Sequence, residues 1–327
     1  LVRSLRQKIG KMSDSESERD PADEDSAIKR NQFDLSEFAA NEECIDLTRT
    51  RADHVPDLTG FTLLKELTMR NNLLTELGAS CLNLSTLTAL DLYENQITKL
   101  ENLGSLVNLR TLDLSHNRIR TIEGLDNLTQ LTHLYLVHNK ISEIRGLETL
   151  QSLVLLELGD NRIKKIEKIS HLTSLKELYL GKNKLRVIEG LDNLINLTLL
   201  SLPGNRLVKL ENIEHLVNLT EVHFSNQGIN DITAVSSLTK LQVIDIGYNE
   251  VESLAALENL TDLTDIWANN NRIASYAELD KLSKLENLDT IYLEMNPIYQ
   301  EGVAGYRRKV MLALPQVKQI DATMTRA

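Results

Sequence analysis

One arrangement of leucine and polar residues recurs along most of the chain. It reads L-x-x-L-x-L-x-x-N-x-L, as in LRTLDLSHNRI (Leu109 to Ile119) and LTHLYLVHNKI (Leu131 to Ile141). The polar position near the end of each unit occurs at Asn72, Asn95, Asn117, Asn139, Asn161, Asn183, Asn205, Gln227, Asn249, Asn271 and Asn296. The first step is 23 residues, the next eight are 22 and the last is 25. This period predicts a solenoid in which each repeat packs only against its neighbours.

The pattern is that of the leucine-rich repeat, and each letter has a physical reason. Side chains alternate along a strand, so Leu112 and Leu114 point into the solenoid while Asp113 points out. Strands of successive repeats stack in parallel and line the concave face of a right-handed horseshoe. The asparagine amide bonds to backbone groups that the turn leaves unpaired. Gln227 keeps this chemistry, with Phe224 at a core position and Gly228 suggesting a local irregularity.

The second half of each unit predicts a short 3₁₀ turn on the convex side. Ile122, Leu125, Leu128 and Leu131 follow one another at three-residue spacing, which suits a 3₁₀ turn. A 22-residue period leaves no room for a longer helix. The expected fold class is therefore an α/β solenoid with a parallel concave sheet and short 3₁₀ convex segments.

Both ends of the array predict caps. Ile45 and Leu47 stand 22 residues before Leu67 and Met69, so residues 44–58 form a degenerate first repeat. After the last repeat, a capping helix is expected to contain Tyr306, Val310, Leu312 and Leu314 and to end at Pro315. We divide the chain into a largely disordered acidic tail (1–41), the solenoid with its N-terminal cap (42–302) and a C-terminal cap (303–327).

The N-terminal tail differs in composition from the rest. Ser13 to Ser26 contains seven acids, four serines and no large apolar residue, which predicts disorder. Its serines followed by acids suit acidophilic kinases, although a solubilising tail is favoured. Met12 is expected to be the usual start, with the preceding segment an artefact or alternative start; a transit peptide is the other interpretation.

Composition excludes several function classes. The 327 residues carry a net charge of −11, which argues against a nucleic-acid binder. No stretch approaches the roughly 18 apolar residues of a membrane helix. Cys44 and Cys81 form no zinc or disulfide pattern, so a reducing compartment is expected. No catalytic motif is present, and His116 and His138, one repeat apart, lack a third metal ligand. We expect a protein that is not an enzyme and has no cofactor.

Function is expected on the exposed positions of the repeat. The residue between the two strand leucines reads, down the array, Thr68, Asp91, Asp113, Tyr135, Glu157, Tyr179, Ser201, His223, Asp245, Trp267 and Tyr292. Four acids and four aromatics in this column favour a protein interface over a merely solvated surface. Asp113 and Trp267 are seven repeats apart, or roughly 34 Å at the spacing of strands. A partner that touches both is a folded protein, with a basic contact patch and apolar pockets.

A second charge pattern is interpreted as a solvated edge. The residue after the ladder position is basic in six repeats: Arg118, Lys140, Arg162, Lys184, Arg206 and Arg272. Glu123, Glu167, Glu189 and Glu211 recur five residues further on. Pairs between these two stripes would each contribute well under about 1 kcal/mol.

From about residue 42 to 323 the sequence resembles the leucine-rich-repeat regulatory subunit of type 1 protein phosphatase. The similarity rests on the 22-residue period, units such as IEGLDNLTQLTHLYL, the acidic tail and the closing YRRKVMLALPQVKQID. It implies that the concave face binds the phosphatase catalytic subunit through Asp113, Tyr135, Glu157, Tyr179, Asp245, Asp265, Trp267 and Tyr292. Some family members have Phe at the positions of Tyr135 and Tyr179 and Glu at that of Asp265.

The resemblance also implies location and partners. Family members are nuclear and cytoplasmic and act in mitosis and phosphatase maturation, and a further inhibitor subunit is a candidate third partner. No nucleic acid or membrane is expected. The alternative hypothesis is a structural adaptor of a spliceosomal or axonemal complex.

Overall fold

The chain folds into a solenoid with one continuous sheet. The computed structural model describes residues 30–79, 81, 84–300 and 303–325, and the predictions for Ser13–Ser26 and Met12 lie outside them. In these residues fourteen strands lie side by side in chain order. They are β1 Cys44–Asp46, β2 Glu66–Thr68, β3 Ala89–Asp91, β4 Thr111–Asp113, β5 His133–Tyr135, β6 Leu155–Glu157, β7 Glu177–Tyr179, β8 Leu199–Ser201, β9 Glu221–His223, β10 Val243–Asp245, β11 Asp265–Trp267, β12 Thr290–Tyr292, β13 Gln319–Ile320 and β14 Thr323–Met324.

The predicted parallel solenoid is confirmed. Strands β1 to β13 pair in parallel, and only the closing pair β13–β14 is antiparallel. Leu112 pairs in register with Leu90 on one side and Leu134 on the other. These leucines and Leu114 are fully buried, whereas Asp113 is half-buried. The alternation predicted from the sequence therefore sets which side chains face the core.

A ladder of amides crosses the array, as predicted. Asn161 accepts a hydrogen bond from the Ile141 N–H (2.9 Å) and donates to the carbonyls of Leu136 (2.9 Å) and Leu158 (3.1 Å). Each amide therefore joins its own turn to the preceding coil and satisfies groups that would otherwise be buried without partners.

Gln227 reproduces the ladder despite its longer side chain. It accepts from the Leu207 N–H (3.0 Å) and donates to the carbonyls of Leu202 (3.0 Å) and Phe224 (3.2 Å). Phe224 is fully buried at its core position. The extra methylene leaves Gln227 half-buried, while the hydrogen bonds of the ladder continue without interruption.

The convex side consists of short turns. Leu128 N–H donates to the Leu125 carbonyl and Leu131 N–H to that of Leu128, both at 2.9 Å, the i→i+3 bonds of a 3₁₀ turn. Longer segments occur as 3₁₀ helices at Thr233–Ser237 and Ala255–Leu257 and as an α-helix at Ala277–Asp280. No helix in the described residues is long and apolar enough to cross a membrane.

The N-terminal cap contains the predicted first strand, β1, with Ile45 beside Leu67. Before it, a 3₁₀ helix spans Leu35–Glu37, and Asn31 N–H donates to the Arg51 carbonyl (3.0 Å). Residues 30–32 therefore contact the first coil. The division of the chain at residues 41 and 302 stays a prediction.

The C-terminal cap comprises α-helices at Pro297–Gln300 and Val303–Ala313. Tyr306, Val310 and Leu314 are buried, as expected of a cap. Leu314 follows the end of the helix at Ala313. Leu312 lies on the helix, as predicted, but is 73% exposed. It follows Val310 by two residues, about 200° around a helix, and therefore faces away from the core.

Candidate protein-binding surface

The eight predicted site residues lie on the concave face in two groups. Asp113, Tyr135, Glu157 and Tyr179 stand in register on the adjacent strands β4 to β7. Asp245, Trp267 and Tyr292 do the same on β10 to β12, with Asp265 two residues before Trp267 on β11. All eight are half-buried, and Ser201 and His223 lie between the groups on β8 and β9.

In the first group, a hydrogen bond within the protein orients the ring of Tyr179. The Tyr179 hydroxyl donates to Glu177 Oε2 (2.8 Å). Burial and the hydrogen bond to Glu177 raise the pKa of Tyr179 far above its usual value, and burial raises that of Tyr135. Both phenols therefore remain neutral hydrogen-bonding groups at physiological pH.

The Asp113 carboxylate stabilises the turn that follows its strand. Its Oδ1 accepts a hydrogen bond from the Ser115 N–H (2.8 Å). Asp91 and Asp245 likewise accept a hydrogen bond from the backbone N–H two residues further along the chain. Burial raises the pKa of the Asp113 carboxyl, although the bonds from Ser115 oppose the rise. These three aspartates thus stabilise the chain where it leaves the strand, while the second oxygen of each faces Arg70 or His223.

Arg70 belongs to this surface, although the sequence did not single it out. Its Nε donates to Asp91 Oδ2, its second guanidinium nitrogen lies 3.8 Å from Asp113 Oδ2, and its guanidinium lies 5.3 Å from the Tyr93 ring centre. A groove of about 900 Å³ extends from these residues to Tyr135 and Glu157. The sequence signal that could have identified Arg70 is the pair of adjacent acids in the column, Asp91 and Asp113, since two neighbouring carboxylates favour a nearby cation.

The second group is organised around His223. Its Nε2 lies 2.7 Å from Glu221 Oε1 and its Nδ1 lies 3.8 Å from Asp245 Oδ2. Burial alone would lower the pKa of His223, but hydrogen bonds and charge interactions with Asp245 and Glu221 raise it to about 9. At neutral pH the ring is therefore a cation between two carboxylates. The sequence placed His223 in the column but not among the site residues.

The Trp267 ring is tilted against this imidazole. The two ring centres are 5.9 Å apart, at an interplanar angle of 46°. Trp267 Nε1 is the one buried side-chain nitrogen or oxygen in the described part of the chain without a hydrogen-bond partner. Beside it, the Tyr292 hydroxyl accepts from Gln319 Nε2 (2.7 Å) and Asp265 Oδ2 from the Thr264 hydroxyl (2.8 Å).

His116 and His138 do form the expected neighbouring pair. Their rings stack at 4.7 Å, and His138 Nδ1 lies 2.7 Å from Asp160 Oδ2. Burial, followed by the charge on His138, lowers the pKa of His116. Residues 30–79, 81, 84–300 and 303–325 contain no group of three or more histidine, cysteine or carboxylate side chains arranged for a metal ion.

Comparisons with known proteins agree with this architecture. A sequence model of the family Leucine Rich repeats (2 copies) matches residues 85–127, 107–149, 129–173 and 151–194. The fold is similar to that of an internalin from Listeria monocytogenes, with a TM-score of 0.68 and 25% identity over 86% of this chain and 87% of that one. It is also similar to a leucine-rich-repeat protein of Leptospira interrogans, with a TM-score of 0.55 and 21% identity over 86% and 96% of the two chains.

The resemblance to phosphatase regulatory subunits is confirmed over part of the chain. Seventy-six residues are 57% identical to a Caenorhabditis elegans protein named Protein phosphatase 1 regulatory subunit SDS22 homolog. The match spans 23% of this chain and 23% of the relative.

Proposed function

We propose that this leucine-rich-repeat horseshoe is a non-catalytic regulatory subunit that binds the catalytic subunit of type 1 protein phosphatase through its concave face. The similarity to a protein named as a regulatory subunit supports the partner. The row of half-buried rings and carboxylates from Asp113 to Tyr292 supports the surface. Residence in the nucleus and cytoplasm and a role in the cell cycle are part of the same proposal.

The chemistry of the surface suits a folded protein partner. Rings held by hydrogen bonds, as Tyr179 is by Glu177 and Tyr292 by Gln319, lose little side-chain freedom on binding, so their contact area contributes more of its energy to affinity. The carboxylates steer a basic patch of the partner toward the rings. Trp267 is the central anchor of the C-terminal group, and Glu157 is the central charge of the N-terminal group.

Isothermal titration of the purified catalytic subunit with the full chain tests this proposal. Trp267→Ala and Glu157→Lys are each expected to weaken binding by at least about 30-fold, the effect of losing a hot-spot residue. Arg272→Ala is the matched control, since Arg272 pairs with Glu250 (3.1 Å) rather than with the concave row.

Circular dichroism and thermal unfolding of each variant check that the fold is intact. Undiminished binding by both concave variants would overturn the assigned surface. Absence of binding by the unchanged protein would overturn the partner, and co-purification with a spliceosomal or axonemal component instead would favour the adaptor hypothesis.

A further inference from the structure

One edge of the horseshoe carries a row of cations that the proposed function does not use. We call it the basic stripe. It contains the residues that follow the ladder asparagine on five consecutive coils, Arg118, Lys140, Arg162, Lys184 and Arg206. Two positions further along the same coils stand Arg120, Lys164 and Arg186. The residues between them, such as Ile119 and Ile163, are fully buried, so the cations point outward.

The stripe forms no ion pair in the described part of the chain. None of its eight residues forms an ion pair there, although the overall charge of the protein is −11. Three of the four recurring glutamates pair with other cations instead: Glu123 with Arg145 (4.0 Å), Glu189 with Lys165 (3.8 Å) and Glu211 with Lys209 (2.7 Å). The two charge patterns therefore lie on a solvated edge, but no ion pair joins one to the other in the described residues.

Stacked like charges favour binding of an anion. Coils lie about 4.8 Å apart, so adjacent cations of the stripe repel one another. Uncharged residues bound the stripe at both ends, Gln96 and Thr98 on the coil before it and Gly228 and Asn230 on the coil after it. An occupant should therefore be an elongated acidic segment spanning up to five coils.

The chain itself enters the solenoid on this edge. Asn31 N–H donates to the Arg51 carbonyl (3.0 Å), and Asp53 N–H donates to Asn31 Oδ1 (3.0 Å). Arg51 and Asp53 hold the same two positions of the coil as Arg118 and Arg120, three coils earlier. Arg30 and Asn31, the first residues that the structure describes, therefore lie in line with the basic stripe.

We propose that the acidic segment Ser13–Ser26, with its seven carboxylates, docks on the basic stripe of its own chain. The coil of Arg51 lies roughly 14 Å from that of Arg118 and roughly 34 Å from that of Arg206 at the spacing of strands. A chain reaches at most about 3.3 Å per residue, so Asp25 reaches about 16 Å from residue 30 and Asp14 about 53 Å. The charge of the segment, its reach and the position of Asn31 are therefore all compatible with docking on the stripe.

Carbodiimide cross-linking of the full chain tests the proposal, since it joins a carboxylate to a lysine only where they touch. We expect intramolecular links at low salt from acids of residues 14–25 to Lys140, Lys164 or Lys184, identified by mass spectrometry. Mixing isotopically labelled and unlabelled protein separates these from links between two copies.

Charge substitution supplies the second arm. The triple variant Arg118→Gln, Arg162→Gln, Arg206→Gln keeps all three lysines and is expected to lower the yield of these links about tenfold, as should 0.5 M salt. The triple variant Arg145→Gln, Lys209→Gln, Arg272→Gln removes the same charge elsewhere and should leave the yield unchanged. Links only to lysines outside the stripe, only between copies, or equally reduced in both variants would overturn the proposal.

Discussion

The same coils carry two rows of polar side chains that differ in almost every physical respect. On the concave face, carboxylates and rings are half-buried and bonded to neighbours, as Asp113 is to Ser115 and Tyr179 to Glu177. On the basic stripe, Arg118 and Arg162 are exposed and form no ion pair with described residues. Both rows arise from one 22-residue period. The period therefore determines where a side chain lies, whereas the neighbouring side chains determine which interactions it forms.

The difference predicts two kinds of recognition. Groups that are already oriented lose little entropy when a partner binds, and they form a surface of fixed shape. Exposed cations on long side chains attract any acidic segment of suitable length, and salt weakens that attraction. A substitution on the concave face should therefore affect folding as well as binding, whereas one on the stripe should affect binding alone.

The largest effect on stability is expected from His223→Gln. The native pKa of about 9 lies above the usual 6.5, so the folded state binds the proton more tightly than the unfolded state. This stabilisation is fully present below about pH 6.5 and is lost as the pH rises through 9. We expect His223→Gln to lower the free energy of unfolding by about 2 kcal/mol at pH 6 and by less than about 1 kcal/mol at pH 10.

Urea unfolding of both proteins across this pH range measures the difference directly, and effects of other titrating groups cancel between them. A gap between wild type and variant that widens with pH would contradict the assignment of a cation at His223. A gap independent of pH would show that only the shape of the ring matters.

A smaller effect is expected from Asp113→Ala. This substitution removes the acceptor of the Ser115 N–H, and Ser115 is buried. The loss should be about 1 kcal/mol, the usual cost of an unmade hydrogen bond. Asp113→Asn keeps an acceptor oxygen and should stay within about 0.5 kcal/mol of wild type. Thermal unfolding of the pair separates the bond from the charge; equal losses in both variants would assign the effect to the charge facing Arg70.

The repeat pattern predicted the fold far better than it predicted the side-chain partners. Leu112 and Asn161 lie where the pattern places them, because alternation and the unpaired turn leave each of them one favourable environment. Arg70 and His223 were not predicted as site residues, because their partners include acids on neighbouring coils, Asp91 and Asp245. The pairing of Glu189 with Lys165 was likewise hidden, since equal spacing offers a long side chain several possible partners.

The smallest effect on stability is expected on the basic stripe itself. In Arg118→Gln, Arg162→Gln, Arg206→Gln the removed charges are exposed and have no ion-pair partner among the described residues. Less repulsion within the stripe and loss of attraction to an acidic segment have opposite signs, and exposed charges contribute little in either case. The free energy of unfolding should therefore change by less than about 0.5 kcal/mol in urea titrations, although three charges are lost.

A decrease above about 1 kcal/mol would mean that these cations hold the coils together, and the contrast with the concave row would fail. A change that stays small while cross-linking to Ser13–Ser26 falls would separate, on one set of coils, the charges that stabilise the solenoid from those that bind to it.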